Sequence, residues 1–171
     1  MFKSPINSTQ LYIKNMLDGL IVPGNSRALE AYITPEDPRD EENPAAYIWP
    51  TQGSENRQAV PRVGADAANP AQAGWKESTH ELDVWLTWFN DDSDPNADIS
   101  FPAVVDVVMY TLRSSANPAV ITDPLTGLES QLIDVGERMA YHMAGVHSTA
   151  DQRWLRYDAQ LTLTIIEELQ S

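Results

Sequence analysis

Two stretches of apolar–polar alternation constrain the fold of this chain most, because a period of two residues is typical of a strand with one buried face. Within residues 81–89 the even-numbered positions are apolar, whereas Trp85 and Phe89 lie on the opposite, mostly polar face. Within residues 157–165 the odd-numbered positions are apolar. Both segments are predicted to be strands whose apolar faces pack against helices.

Two other segments carry apolar residues at the spacing of a helix. A first helix is predicted from about residue 5 to 20, and Pro23 follows it as a stop signal. A second helix is predicted over residues 101–113, where Asp98 and Ser100 are placed to cap its start and complement its dipole.

Weaker alternation predicts further strands and completes the fold class. The element order is α-β-β-β-α-β-β-β, which indicates an α+β fold with a mainly antiparallel sheet carrying both helices on one face. A length of 171 residues favours a single domain, 1–171. The weaker strands are predicted near residues 29–33, 45–49, 128–135 and 137–144, and residues 59–63 are a further short candidate.

Residues 34–74 differ in character from the rest of the chain. Prolines recur every few residues, and little regular structure is expected, which is typical of a binding loop. We therefore predict a long acidic, proline-rich loop that partner chains contact. Its acidic run, a candidate contact, consists of Glu36, Asp37, Asp40, Glu41 and Glu42.

Net charge limits the partners of this chain. Its 25 acidic and 11 basic residues give a net charge of −14, and the basic residues are dispersed. Specific binding to nucleic acids or to anionic membranes needs a basic face, so neither is expected. The chain has no cysteine, no signal-peptide pattern and no apolar run of membrane-spanning length, which favours a cytoplasm-like setting.

A search for catalytic, cofactor and metal motifs identifies no convincing site. No phosphate-binding glycine loop or nucleophile elbow occurs. The acidic stretch that begins at Asp92 resembles a calcium loop, but Ala97 and Ala103 replace its essential glycine and glutamate. His142 and His147 would point to opposite faces of a strand. We therefore expect no catalytic residues, no cofactor and no metal, and a non-enzymatic protein.

Aromatic residues on polar surfaces are the best positive signal. Trp85 and Phe89 supply large contact area at little entropic cost, as interface residues commonly do, unless another element of the chain covers them. Trp154, flanked by Arg153 and Arg156, is a second candidate contact.

In element order the chain resembles the tail terminator proteins of long-tailed bacteriophages. The resemblance is carried by a helix from Ser4 to Leu20, the strand 80–89, the helix 101–113 and the closing segment 146–159. It implies a ring, usually hexameric, that assembles in the host cytoplasm and sits in the neck of the virion. Its partners would be further copies, the tail-tube protein and a head-proximal neck protein, and DNA would pass through the lumen without specific binding.

Three alternatives remain open at this point. The chain could form another neck ring, as a stopper or head-completion protein does, or be the tail-tube subunit itself. Its charge also fits an acidic inhibitor that mimics DNA. An enzyme with an unrecognised carboxylate site is the third possibility.

Overall fold

The computed structural model describes most of the chain as six strands and two helices. The described residues are 5–24, 28–33, 44–59, 74–90, 96–114, 119–122, 129–148 and 155–170. The elements are α1 (Pro5–Leu17), β1 (Glu30–Tyr32), β2 (Ala45–Ala59), β3 (Gly74–Asn90), α2 (Ala97–Arg113), β4 (Ala119–Thr122), β5 (Glu129–Ser148) and β6 (Leu155–Gln170). The order α-β-β-β-α-β-β-β is the predicted one, although the first two strands after α2 are not those that were predicted.

All six strands form one sheet in the order β1-β2-β3-β6-β5-β4. Four long strands, β2, β3, β6 and β5, make up its centre, and each is antiparallel to its neighbour. Among the described strands, only β1 and β2 pair in parallel, and their pairing is short. The fold is therefore α+β with a mainly antiparallel sheet, as predicted.

The hydrophobic core lies between the sheet and the two helices. Ile13 and Leu17 of α1 and Val108 of α2 join Leu82 and Leu161 of the central strands in one buried cluster. Each of these residues is fully buried, which is what their helical and alternating spacing predicts. Both helices thus pack on the same face of the sheet, here called the helix face.

Trp88 anchors the core near α2. Its indole packs edge-on against Tyr157, with ring centroids 5.3 Å apart, and stacks on Phe101 at 6.2 Å. The hydroxyl of Tyr157 donates a hydrogen bond of 3.0 Å to the carboxylate of Asp98. This aromatic group fastens the start of α2 to β3 and β6.

The ends of the helices differ in detail from the sequence prediction. Helix α1 ends at Leu17, where Gly19 adopts a positive φ of 81° and its N–H donates to the carbonyl of Leu29. Helix α2 begins at Ala97, with Asn96 as its N-cap residue. Asp98 and Ser100 were predicted to precede the helix as caps; both lie within it.

Three strand predictions are corrected by the structure. The segments 128–135 and 137–144 belong to a single long strand, β5. Local bulges in β5 interrupt the apolar–polar alternation of its sequence. The short strand β4 was missed. Residues 45–59 form strand β2, so the expectation of little regular structure across 34–74 was wrong for its centre. Residues 34–43 and 60–73 lie outside the described residues, as does most of the predicted strand 59–63.

Neither described helix is long and apolar enough to cross a membrane.

Candidate interaction surface

The face of the sheet opposite the helices, here called the outer face, carries a row of large polar and aromatic residues across five strands. Strand pairing places Tyr32 of β1 beside Tyr47 of β2, and Tyr47 beside Trp85 of β3. The row continues through Gln160 of β6 to His142 of β5. Because residues in register on one face are close neighbours, these side chains form a continuous transverse band.

Two tryptophans contribute exposed aromatic area to the outer face. Trp85 is 41% exposed, and Trp49 of β2 is 48% exposed. Trp49 is paired with Asp83, two residues from Trp85, so the indoles are diagonal neighbours on adjacent strands. Half-exposed tryptophans on a rigid sheet lose little entropy when a partner covers them, which favours a contact surface.

A carboxylate lies beside both tryptophans, in register with Trp49 and two residues before Trp85 on β3. Asp83 is 9% exposed and accepts hydrogen bonds from Gln160 at 2.7 Å and from Thr162 at 2.8 Å. Both oxygens are thereby occupied by neighbours on β6. This bonding fixes Asp83 and Gln160 beside Trp85 and leaves the carboxylate poorly placed for acid–base chemistry.

A second carboxylate, on β6, is held by hydrogen bonds in the same way. It lies on the other side of the row that contains Trp85 and Gln160. Asp158, also 9% exposed, accepts a hydrogen bond of 3.0 Å from the hydroxyl of Thr87. The guanidinium of Arg156 donates to the same oxygen at 2.9 Å and forms an ion pair with it. Arg156, predicted as an interface residue, thus has an intramolecular partner, and its side chain remains 37% exposed.

Two tyrosines close the β1 edge of the band. The rings of Tyr32 and Tyr47 are stacked, with centroids 5.5 Å apart. The hydroxyl of Tyr32 donates to the carboxylate of Glu30, and this hydrogen bond raises the pKa of Tyr32 to about 12. Tyr32 therefore stays neutral at physiological pH and serves as a packing group.

The structure separates the two residues that the sequence predicted as the main contacts. Trp85 is half-exposed on the outer face, as the alternation of β3 indicates. Phe89 is only 7% exposed, and Thr87 and Asn90 beside it are also buried. The expectation that Phe89 offers contact area is therefore corrected: the outer face is open around Trp49 and Trp85 and closed at the end of β3.

Seven other predicted contact residues lie outside the described residues. They are Trp154, Arg153, Glu36, Asp37, Asp40, Glu41 and Glu42.

Trp49 was not among the predicted contact residues, although a signal for it was present. In β2, Ala46 and Ile48 are buried on the helix face, so Tyr47 and Trp49 alternate onto the outer face. The same parity argument that identified Trp85 would have identified Trp49. The short predicted strand 45–49 ended at this residue, and its second face was not considered.

The described residues contain no group of three or more histidine or acidic side chains placed to hold a metal ion. The two buried carboxylates of the outer face already bond to side chains of their own sheet. The indoles of Trp49 and Trp85 are the exposed aromatic groups nearest to these carboxylates.

The sequence matches no protein-family model, and no curated protein matches it significantly.

Proposed function

We propose that this chain is a structural subunit that assembles into a ring at the head-proximal end of the tail of a long-tailed bacteriophage. In this role it ends growth of the tail tube and joins the tail to the head. The proposal combines the resemblance in element order with a surface that suits protein contacts. It assigns no chemical step to the chain.

The observation that carries the proposal is the outer face around Trp49 and Trp85. These indoles are 48% and 41% exposed, while the polar side chains beside them are held by hydrogen bonds within the sheet. Because the polar groups are already satisfied, a partner that covers this face loses few hydrogen bonds to water and gains indole contacts. Such a surface fits a permanent assembly of rings.

The net charge of −14 supports the same role. A ring that surrounds DNA during packaging and ejection must let the DNA slide, and acidic subunits repel the phosphate backbone. An inhibitor that mimics DNA would instead display carboxylates on its surface. On the outer face, Asp83 and Asp158 are buried and bonded internally.

A double substitution of the two indoles tests the outer face. The variant carries Trp49→Ala and Trp85→Ala, and the matched control is Tyr110→Ala, because Tyr110 is 72% exposed on α2 and away from the sheet. Sedimentation would be measured for the protein alone and mixed with tail tubes of its own phage. We expect the double variant to weaken ring formation or tube binding by at least about tenfold, since interface tryptophans are frequent hot spots.

Each outcome decides a separate part of the proposal. If the double variant and the Tyr110→Ala control both behave as the unsubstituted protein does, the outer face is not a contact surface. If the unsubstituted protein neither self-associates nor binds tubes, the ring function itself is refuted.

A further inference from the structure

The two edges of the central sheet are unpaired over most of their length among the described strands. On one side, β1 pairs with only three residues of β2, so β2 from Ile48 onward has an open edge. On the other side, β4 pairs with β5 only as far as Leu132. Open edges present unpaired backbone N–H and C=O groups that another strand can bind.

Part of each open edge carries no charged residue, although the chain is strongly acidic. Residues 45–54 of β2 and residues 139–148 of β5 contain no Asp, Glu, Lys or Arg, although the chain has 25 acidic residues. Edge strands are normally protected by charged side chains, which these segments lack. Two copies that each carry −14 therefore repel each other least where these segments meet.

The uncharged segment of β5 also exposes apolar side chains on the helix face. Tyr141 is 61% exposed, Val146 is 50% exposed and Met143 is 38% exposed. Their register partners on β6, among them Leu161 and Ala159, are fully buried in the core. Side chains of β5 on the helix face therefore lie exposed at the margin of the core. A further strand paired with β5 would extend the sheet beside them.

The two uncharged segments lie at the same level of the sheet. Trp49 of β2 is in register with Asp83, Asp83 with Thr162, and Thr162 with Ala140 of β5. A copy displaced sideways in the plane of the sheet would place its β2 segment directly against this β5 segment. The two segments match in position, and both lack charge. We therefore infer that the strand that pairs with the β5 segment is the β2 segment of a second copy of this chain.

The directions of the strands favour contact between the same two segments. The four central strands alternate in direction, so β2 and β5 run antiparallel to each other. Copies related by rotation about an axis along the strands would therefore meet as an antiparallel pair, which is the more stable ladder. A bulge after Met143 and the missing N–H of Pro50 keep this ladder short.

We propose that copies of this chain join through the open edge of β5, residues 139–148, and the open edge of β2, residues 48–54, of the next copy. The contact is heterologous, because two different edges meet. Such contacts build a ring when the rotation from one copy to the next closes, and an open filament when it does not. The inference rests on the proposed function, since it supplies the contact that builds the ring. The outer face with its two indoles stays free to meet the adjoining ring.

A charge substitution tests the β5 edge. Tyr141→Glu places an acid where the next copy would approach, and Tyr110→Glu makes the same change on α2. Because both residues are exposed, both variants should fold, which circular dichroism and urea unfolding would check. We expect Tyr141→Glu to weaken self-association at least about tenfold, since a like charge or a buried charge at a contact is unfavourable. Tyr110→Glu should associate as the unsubstituted protein does.

Cysteine crosslinking tests which edges meet. The chain has no cysteine of its own, so single variants can be labelled cleanly. Ala140→Cys and Gln52→Cys, both at exposed positions, would be purified separately, one with a size tag, and treated with a short bismaleimide. We expect a crosslinked heterodimer in the mixture. Either variant alone should give little product, because the same position in two neighbouring copies would be separated by the four strands of the central sheet.

The outcomes distinguish this inference from the proposed function. If rings form but Tyr141→Glu matches its control, or if Ala140→Cys alone crosslinks efficiently, the β2–β5 joint is wrong and the ring function is unaffected. If the unsubstituted protein stays monomeric up to its solubility limit and gives no crosslink, both the joint and self-assembly are refuted.

Discussion

A single carboxylate shows how local bonding holds the turn between α1 and β1. Asp18 accepts a hydrogen bond of 3.1 Å from the backbone N–H of Ala31, and Lys14 donates to its second oxygen at 3.0 Å. The backbone hydrogen bond, followed by the one from Lys14, lowers the pKa of Asp18 below its ordinary value of 3.8. The charged form of Asp18 is therefore favoured in the folded state.

Substituting this carboxylate should cost stability in a pH-dependent way. A lowered pKa in the folded state adds stability that is present above the unfolded pKa and is lost as pH falls through the folded pKa. Asp18→Ala should lower the free energy of unfolding by about 1 kcal/mol at pH 7, a modest value because the side chain is 48% exposed. Urea unfolding at a series of pH values should show the difference shrinking below pH 3.8.

Asp106→Ala is the control for this experiment, since Asp106 is exposed on α2. A difference between Asp18→Ala and the unsubstituted protein that stays constant down to the lowest pH would contradict the role given to the carboxylate charge.

At the scale of elements, α2 contains a residue that opposes helix formation. Pro102 lies beyond the first turn of the helix and is exposed, so its ring contributes little to the core. A proline here removes the N–H that would bond to the carbonyl of Asp98. The helix is held instead by its buried stripe, which includes Val104, Val105 and Val108.

Replacing this proline should therefore stabilise the protein. Proline inside a helix costs about 3 kcal/mol relative to alanine, offset in part by its stiffening of the unfolded chain. We expect Pro102→Ala to raise the free energy of unfolding by about 1–2 kcal/mol, measured by urea unfolding. Asp106→Ala in the same helix should change it by only a few tenths of a kcal/mol. An unchanged or lower stability for Pro102→Ala would mean that the packing of α2 requires the proline.

Strong periodicity explains why the sequence predicted the core elements. The alternation of β3 and β6 and the apolar stripes of both helices were identified because each has a complete buried face. Strand β5 was divided in two because its bulges shift the parity of its residues, with irregularities after Leu132, Val135 and Met143. Strand β2 was cut short at Trp49, since residues 51–54 are exposed and carry no apolar alternation.

The candidate surface was predictable only where it lies on a strongly alternating strand. Trp85 belongs to such a strand and was identified. The open edges of β2 and β5 depend on strand order, which no local pattern specifies. Their lack of charge is visible in the sequence, but it becomes meaningful only when the sheet places both segments at one level.

At the scale of the whole molecule, the proposed ring requires attraction at the contact surfaces to exceed the electrostatic repulsion between acidic copies. Each copy carries a net charge of −14, so assembly needs surfaces where the charge is absent. Residues 48–54 of β2 and 139–148 of β5 carry no charged side chain, and around Trp49 and Trp85 the carboxylate of Asp83 is buried and hydrogen-bonded. In a ring they would hold copies and partners, while the acidic remainder faces solvent and DNA.

The native mass of the purified protein tests this account most directly. Six copies of a 19.0 kDa chain make about 114 kDa, the ring size that the resemblance to tail terminators implies. Light scattering behind size exclusion at physiological salt, where repulsion is screened beyond about 8 Å, would be combined with negative-stain images of the same fraction. We predict a species near that mass with a central hole. A monomer at every concentration, without rings in the images, would contradict the claim that this chain builds a ring.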